Sequence, residues 1–195
     1  MISMSTEYKD WYADLSEKQK KIYNICMEYP FLIQRDIDGN RDEEFNYEYL
    51  DLEIPTGWKR LFFQMCADIK PLLEKEGVLD DFYFLQVKEK FNMLRCYSNG
   101  VASQEVEDII AKYEMMAYYV CTNCGKPATY ETQGYFASYC GECCKNFIKP
   151  PKMKPIEFEP EFKISGFSKG KHYEKTISFE NEWNRYLKGL KDNGV

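Results

Sequence analysis

The chain has one histidine in 195 residues, His172, and that scarcity removes most of the familiar catalytic chemistry. Imidazole is the commonest general base for serine and cysteine nucleophiles, yet His172 lies among Lys169, Lys171 and Lys175 with no nucleophile beside it. No apolar run approaches the ~20 residues of a membrane-spanning helix. Glu7, Lys9 and Asp10 stand where a secretory leader would place its apolar stretch, so a cytoplasmic protein with no membrane contact is expected. Internal repeats and low-complexity tracts are also missing.

A dense basic face is absent as well. Residues 1–120 carry 14 Lys and Arg against 23 Asp and Glu, a balance of −9, while residues 121–195 carry 12 against 9, a balance of +3. The total of −6 disfavours non-specific DNA binding by the whole chain. Within 145–175, eight lysines face four glutamates, which keeps nucleic acid open as a partner for that stretch.

Cysteine is plentiful: eight residues. In a reducing compartment metal binding is their more natural use than disulfides. Cys26, Cys66 and Cys96 fall among apolar neighbours and read as buried free thiols. Cys121, Cys124, Cys140 and Cys143 differ, giving the spacing C-x2-C-x15-C-x2-C. Two residues between paired cysteines let both sulfurs of a tight turn face a common centre about 2.3 Å away, and two such turns complete a tetrahedron. One structural Zn2+ is expected there, with Gly125 suited to positive φ just after the first pair. Cys144 adjoins Cys143 as an alternative fourth ligand, but only Cys143 reproduces the x2 spacing.

Around this motif the periodicities suggest an α+β chain. Ser16 and Gln19 form a capping box before an apolar stripe of Ile22, Ile25, Cys26 and Tyr29, so a helix is expected near 16–29. A second helical run follows Thr56-Gly57-Trp58 through Leu61, Phe62, Met65, Cys66 and Ile69, with a kink or break expected at Pro71. Phe82–Val87 and Met93–Tyr97 read as two antiparallel strands, and 104–119 as a helix leading into the first cysteine pair. Pro150, Pro151, Pro155 and Pro160 mark a linker or extended arm before a strand near Tyr173–Phe179 and a short amphipathic helix with Phe179, Trp183, Tyr186, Leu187 and Leu190. The expected organisation is an α+β domain over 1–119, with helices on a small antiparallel sheet, then a zinc-ribbon module over 120–148 and a C-terminal extension over 149–195.

Other candidates are weaker. Asp36-x-Asp38-x-Asn40 opens like a calcium loop, but Arg41 and Tyr47 replace its glycine and final glutamate, so it reads as a solvated acidic loop. Lys88-Glu89-Lys90-Phe91 with Arg95 puts alternating charge on the expected hairpin, suited to cross-strand pairing or to a ligand. Tyr97, Tyr113, Tyr118, Tyr119 and Tyr135 surround the metal segment and could serve an interface or the core.

The Gly57-Trp58 helix ending at Cys66, the segment Val87-Lys88-Glu89-Lys90-Phe91-x-x-Leu94-Arg95 and the Cys121-x2-Cys124-Gly125 turn resemble a family of uncharacterised proteins from bacteriophages and prophages. The resemblance covers about residues 25–145. The family pattern reads V-K-E-K-F-G-G-L-R before a helix and a zinc-binding turn ending in C-x2-H or C-x2-C; here Asn92-Met93 replaces the two glycines. The resemblance implies a phage-related setting in a bacterial cytoplasm. With no catalytic residues identified, the leading expectation is a zinc-stabilised, non-enzymatic accessory protein that binds a host or phage protein. Nucleic-acid binding through the 145–175 lysines is one alternative, and an enzyme built from scattered carboxylates and arginines is another.

Overall fold

A computed structural model of the chain describes residues 15–35, 39–41, 54–168 and 171–192; the acidic segment from Asp36 to Asp38 and Tyr47 lie outside these. Helix α1 spans Glu17–Glu28. It starts where Ser16 and Gln19 close the capping box: Gln19 N–H donates to Ser16 Oγ at 3.3 Å and Ser16 N–H donates to Gln19 Oε1 at 3.0 Å. Ile22, Tyr23 and Cys26 form its buried stripe, and Pro30 then opens a single 3-10 turn, Pro30–Leu32, that buries Phe31 and Leu32.

Helix α2, Lys59–Glu76, follows a 3-10 turn over Thr56–Trp58 and buries Leu61, Phe62, Met65, Cys66, Ile69 and Leu73. It runs unbroken through Pro71, where a kink or break was expected. Pro71 and Ala67, whose carbonyl loses its donor, are both exposed, so water can take the place of the missing bond. Gly77 ends the helix at φ 73, with Val78 N–H donating to Leu73 O at 3.0 Å, a Schellman closure.

Strands β1 (Phe84–Lys90) and β2 (Met93–Ser98) pair antiparallel, and Val87, Leu94 and Cys96 face the core. Helix α3, Gln104–Tyr118, begins at Ser103, whose Oγ accepts Val106 N–H at 3.5 Å, and packs against α2 and β2. Next come β3 (Tyr130–Thr132), β4 (Ser138–Tyr139), the short helix α4 (Gly141–Lys145) and β5 (Met153–Pro155), forming a sheet ordered β4-β3-β5. Pro155, which has no backbone donor, is tolerated because β5 is an edge strand.

The C-terminal segment is regular to a degree its prolines do not announce. Strands β6 (Glu161–Ser168) and β7 (Lys171–Ser178) form a hairpin, and α5 (Glu180–Asp192) follows. Phe179, Trp183, Tyr186 and Leu190 belong to the same hydrophobic cluster as the buried residues of α1, α2, α3 and the first hairpin. The architecture is therefore α+β, with five α-helices and three small antiparallel sheets among the described residues.

Candidate metal centre

The sulfurs of Cys121, Cys124, Cys140 and Cys143 all lie within 4.8 Å of one another. A tetrahedral ion with metal–sulfur bonds of about 2.3 Å places its ligand sulfurs about 3.8 Å apart, and the Cys124–Cys140 separation is 3.6 Å. The donor set therefore fits one metal ion of the zinc type, and four protein sulfurs leave no coordination position for a substrate.

Each pair is shaped by its own turn. Gly125 takes φ 79, which lets its N–H reach back to Cys121 O at 3.0 Å while Cys121 N–H donates to Lys126 O at 2.8 Å. At the second pair, Cys140 caps α4: its Sγ accepts Cys143 N–H at 3.4 Å and its carbonyl accepts Cys144 N–H at 3.0 Å. Cys143, the third residue of α4, thus turns its sulfur toward the group, and Asn123 Nδ2 donates to it at 3.5 Å. Cys144 is half-buried outside the group.

The thiols differ in proton affinity. Burial pushes Cys121 up, but backbone N–H groups of Cys140, Cys124 and Asn123 outweigh it and hold this thiol below its ordinary range. Burial pushes Cys124 and Cys143 up. An incoming ion therefore displaces the Cys121 proton more readily than those of Cys124 and Cys143. Cys26, Cys66 and Cys96 are buried and free as expected, with the Cys26 thiol pushed up to about 12 by burial and the other two raised well above the ordinary thiol range by the same cause.

The rear of the first knuckle is fastened to the core by contacts far apart in sequence. Gly57 N–H donates to Thr122 O at 2.9 Å, Trp58 Nε1 donates to Val120 O at 3.1 Å, and the Tyr186 hydroxyl of α5 donates to Gly125 O at 2.6 Å. Gly57 is sterically required: a Cβ there would stand 2.0 Å from Cys121 O. On the other side, the β1–β2 turn docks on β4, with Asn92 Nδ2 donating to the buried Ser138 Oγ at 2.6 Å and Ser138 O accepting Thr122 N–H at 2.9 Å. Glu131 of β3, 6% exposed, pairs with Lys154 at 2.7 Å and accepts the Tyr118 hydroxyl. Burial pushes its carboxyl up, but Lys154 and Tyr118 together bring it below the ordinary range.

That turn is conformationally unusual. Phe91 and Asn92 take φ 54 and 63, the pair of left-handed values that a two-residue hairpin turn prefers. Asparagine tolerates such a value, whereas a bulky phenylalanine there costs on the order of 1–3 kcal/mol. The ring gains little burial in return, being 72% exposed. It lines a shallow groove with Glu89, Lys90, Gly134, Tyr135 and Phe136, where Tyr135 is 80% and Phe136 48% exposed.

The remaining sequence candidates have defined places. His172 is exposed on β7, opposite Phe167 in register. Arg95 pairs with Glu114 at 3.3 Å, and that carboxylate also accepts Cys96 N–H at 2.6 Å. Asp68 accepts the Tyr113 hydroxyl at 2.6 Å and pairs with Arg185, tying α2, α3 and α5 together. Of the five tyrosines near the metal segment, Tyr113 and Tyr119 belong to the core, whereas Tyr97 and Tyr135 are exposed. Among the described residues no helix is long and apolar enough to cross a membrane.

Sequence reasoning overlooked Gly57, Tyr186, Asn92 and Ser138 as supports of the cysteine turns. Only Gly57 carried a signal, as a glycine at the mouth of a strong helix where an N-cap side chain is expected. No protein-family model, no curated protein and no solved structure matches this chain.

Proposed function

We propose that this chain is a zinc-stabilised, non-enzymatic accessory protein that works by binding a macromolecule. Its zinc is structural, held by Cys121, Cys124, Cys140 and Cys143, and its setting is the phage or prophage context implied by the sequence resemblance. The observation that carries this reading is the closed set of four sulfurs within 4.8 Å, bonded through Gly57, Trp58 and Tyr186 into the hydrophobic core. A site of this form rigidifies and does not turn over. The rings of Phe91, Tyr135 and Phe136, exposed around one groove, are what such a rigid body has to offer a partner.

The test is an affinity purification of the tagged, zinc-loaded protein from bacterial lysate, with and without nuclease, beside a Cys121→Ser/Cys140→Ser variant. A discrete protein or nucleic acid retained by the native chain and absent with the variant is expected. Equal retention by both proteins, or turnover of a small-molecule substrate by the native chain, overturns the reading.

A further inference from the structure

We propose that the outward face of the β1–β2 hairpin, with the neighbouring β3–β4 turn, binds a single-stranded nucleic acid by stacking bases on exposed rings and pairing phosphates with lysines. The proposal deepens the binding reading above and rests on it.

The strand register sorts the hairpin's residues. Val87 opposite Cys96 and the Leu94 side face the core, so Gln86 opposite Tyr97, Lys88 opposite Arg95 and Lys90 opposite Met93 share the other face. That face offers two lysines, Lys88 and Lys90, and its third cation, Arg95, is already paired with Glu114 at 3.3 Å; acidic residues outnumber basic ones by 32 to 26 in the chain. The one carboxylate of this strand, Glu89, accepts the Asn92 N–H of the turn at 2.7 Å.

Cations and rings alternate on this surface. Lys88 Nζ lies 5.6 Å from the Tyr97 ring centroid and Lys90 Nζ 5.7 Å from that of Phe91. Across the groove stand Tyr135 and Phe136. Gln133 N–H donates to Lys152 O at 2.8 Å, which brings a further exposed lysine beside that turn. Aromatic faces interleaved with cations are what a sequence-tolerant single-strand site requires, because every base has a π-face and every nucleotide a phosphate. A duplex hides its base faces and offers these rings nothing to stack on.

Phe91 supplies the independent observation. A turn selected for stability alone would place glycine or asparagine at φ 54; this one holds a phenylalanine ring in solvent. The ring's position is thus explained by something it touches outside the chain.

The experiment titrates the zinc-loaded full chain into a fluorescently labelled 15-nucleotide oligothymidylate and into a 15-base-pair blunt duplex, by anisotropy at several salt concentrations. Oligothymidylate is expected to bind at least tenfold more tightly than the duplex. Neutralising phosphates with Lys88, Lys90 and Lys152 gives a slope of log K against log salt of about −2, so affinity falls about 16-fold between 50 and 200 mM. Phe91→Gly and Tyr135→Ala should each weaken binding about tenfold or more. Phe91→Gly should leave the melting temperature unchanged or higher, since glycine suits that backbone conformation, so loss of binding cannot be loss of fold. Lys88→Ala/Lys90→Ala should flatten the slope to about −0.7.

Absence of oligothymidylate binding at 50 mM salt, equal binding of the duplex, or binding indifferent to both ring substitutions overturns the proposal. A nuclease-resistant protein captured in the lysate experiment, together with no oligothymidylate binding, leaves the binding reading standing and overturns this one alone.

Discussion

Replacing Gly57 with alanine is the sharpest probe of how the cysteine turns are held. The added carbon would stand 2.0 Å from Cys121 O, 2.7 Å from Gly125 N and 2.9 Å from the Thr122 carbonyl carbon. Comfortable contact needs about 3.5–4.0 Å, so the knuckle backbone must retreat by more than about 1 Å; no side-chain rotation relieves a clash with main chain. Such overpacking costs about 1–3 kcal/mol. The retreat also pulls apart the Gly57–Thr122 and Trp58–Val120 hydrogen bonds, 2.9 and 3.1 Å long, at about 1 kcal/mol each. The sum is about 3–5 kcal/mol, a large part of the 5–15 kcal/mol that typically separates folded from unfolded protein. Because the displaced atoms belong to Cys121 and its neighbours, the loss should register in metal affinity as well as in stability. The assay is urea unfolding of the zinc-loaded protein beside zinc competition with a chromophoric chelator, with Gly141→Ala, whose added carbon meets nothing within 4 Å, as control. A Gly57→Ala protein whose midpoint and zinc affinity both match the native values would refute the argument.

Four further outcomes are expected. Purified protein should carry about one zinc per chain; Cys143→Ser should lose it while Cys144→Ser keeps it, and metal analysis of the two variants identifies the fourth ligand. Stripping the metal with a strong chelator should remove a stabilisation on the order of the 10–16 kcal/mol seen in small zinc peptides, read as loss of protease resistance in the segment around 120–148. Tyr186→Phe should cost about 1–2 kcal/mol in chemical denaturation, since it leaves the buried Gly125 carbonyl without the 2.6 Å donor. Glu131 titrates below the ordinary range when folded, because Lys154 and Tyr118 overcome its burial, so its contribution is present above the unfolded carboxyl value of about 4.3 and fades as pH falls through the folded one. A stability gap between the native protein and Glu131→Gln of about 1–3 kcal/mol near neutral pH should therefore narrow in acid; a gap that widens contradicts the ion-pair reading.

What could be read from the sequence was local. The capping box at Ser16 and Gln19, the apolar stripes of α1, α2 and α3 and the aromatic strands around Val87 and Leu94 are determined within a few residues, and each element lies where its pattern points. The two cysteine pairs were legible because x2 spacing is itself a statement of turn geometry. Strand β6 carried an alternation, Phe162 and Ile164 among Glu161, Lys163 and Ser165, that four nearby prolines obscured. Four features had no local signature. Tyr186 and Gly125 are 61 residues apart and Asn92 and Ser138 are 46 apart, so their bonds exist only once the chain is folded. The continuity of α2 across Pro71 depended on the solvent exposure of Ala67, which periodicity alone does not state. The left-handed Phe91 was invisible because the residue type argues against the conformation it adopts.

The placement of α5 has a consequence for how the protein is made. Synthesis is vectorial, so Gly57, Trp58 and all four metal-facing cysteines leave the ribosome before Tyr186, which lies in the last helix of the described chain. The knuckle can fill with metal early, yet its cover follows only 43 residues after Cys143. Pairings this distant in sequence close late because loop entropy must be overcome first. A transcript truncated after the second cysteine pair would therefore yield a chain with its ligands complete and its aromatic core open, a species suited to chaperone capture and degradation instead of slow accumulation.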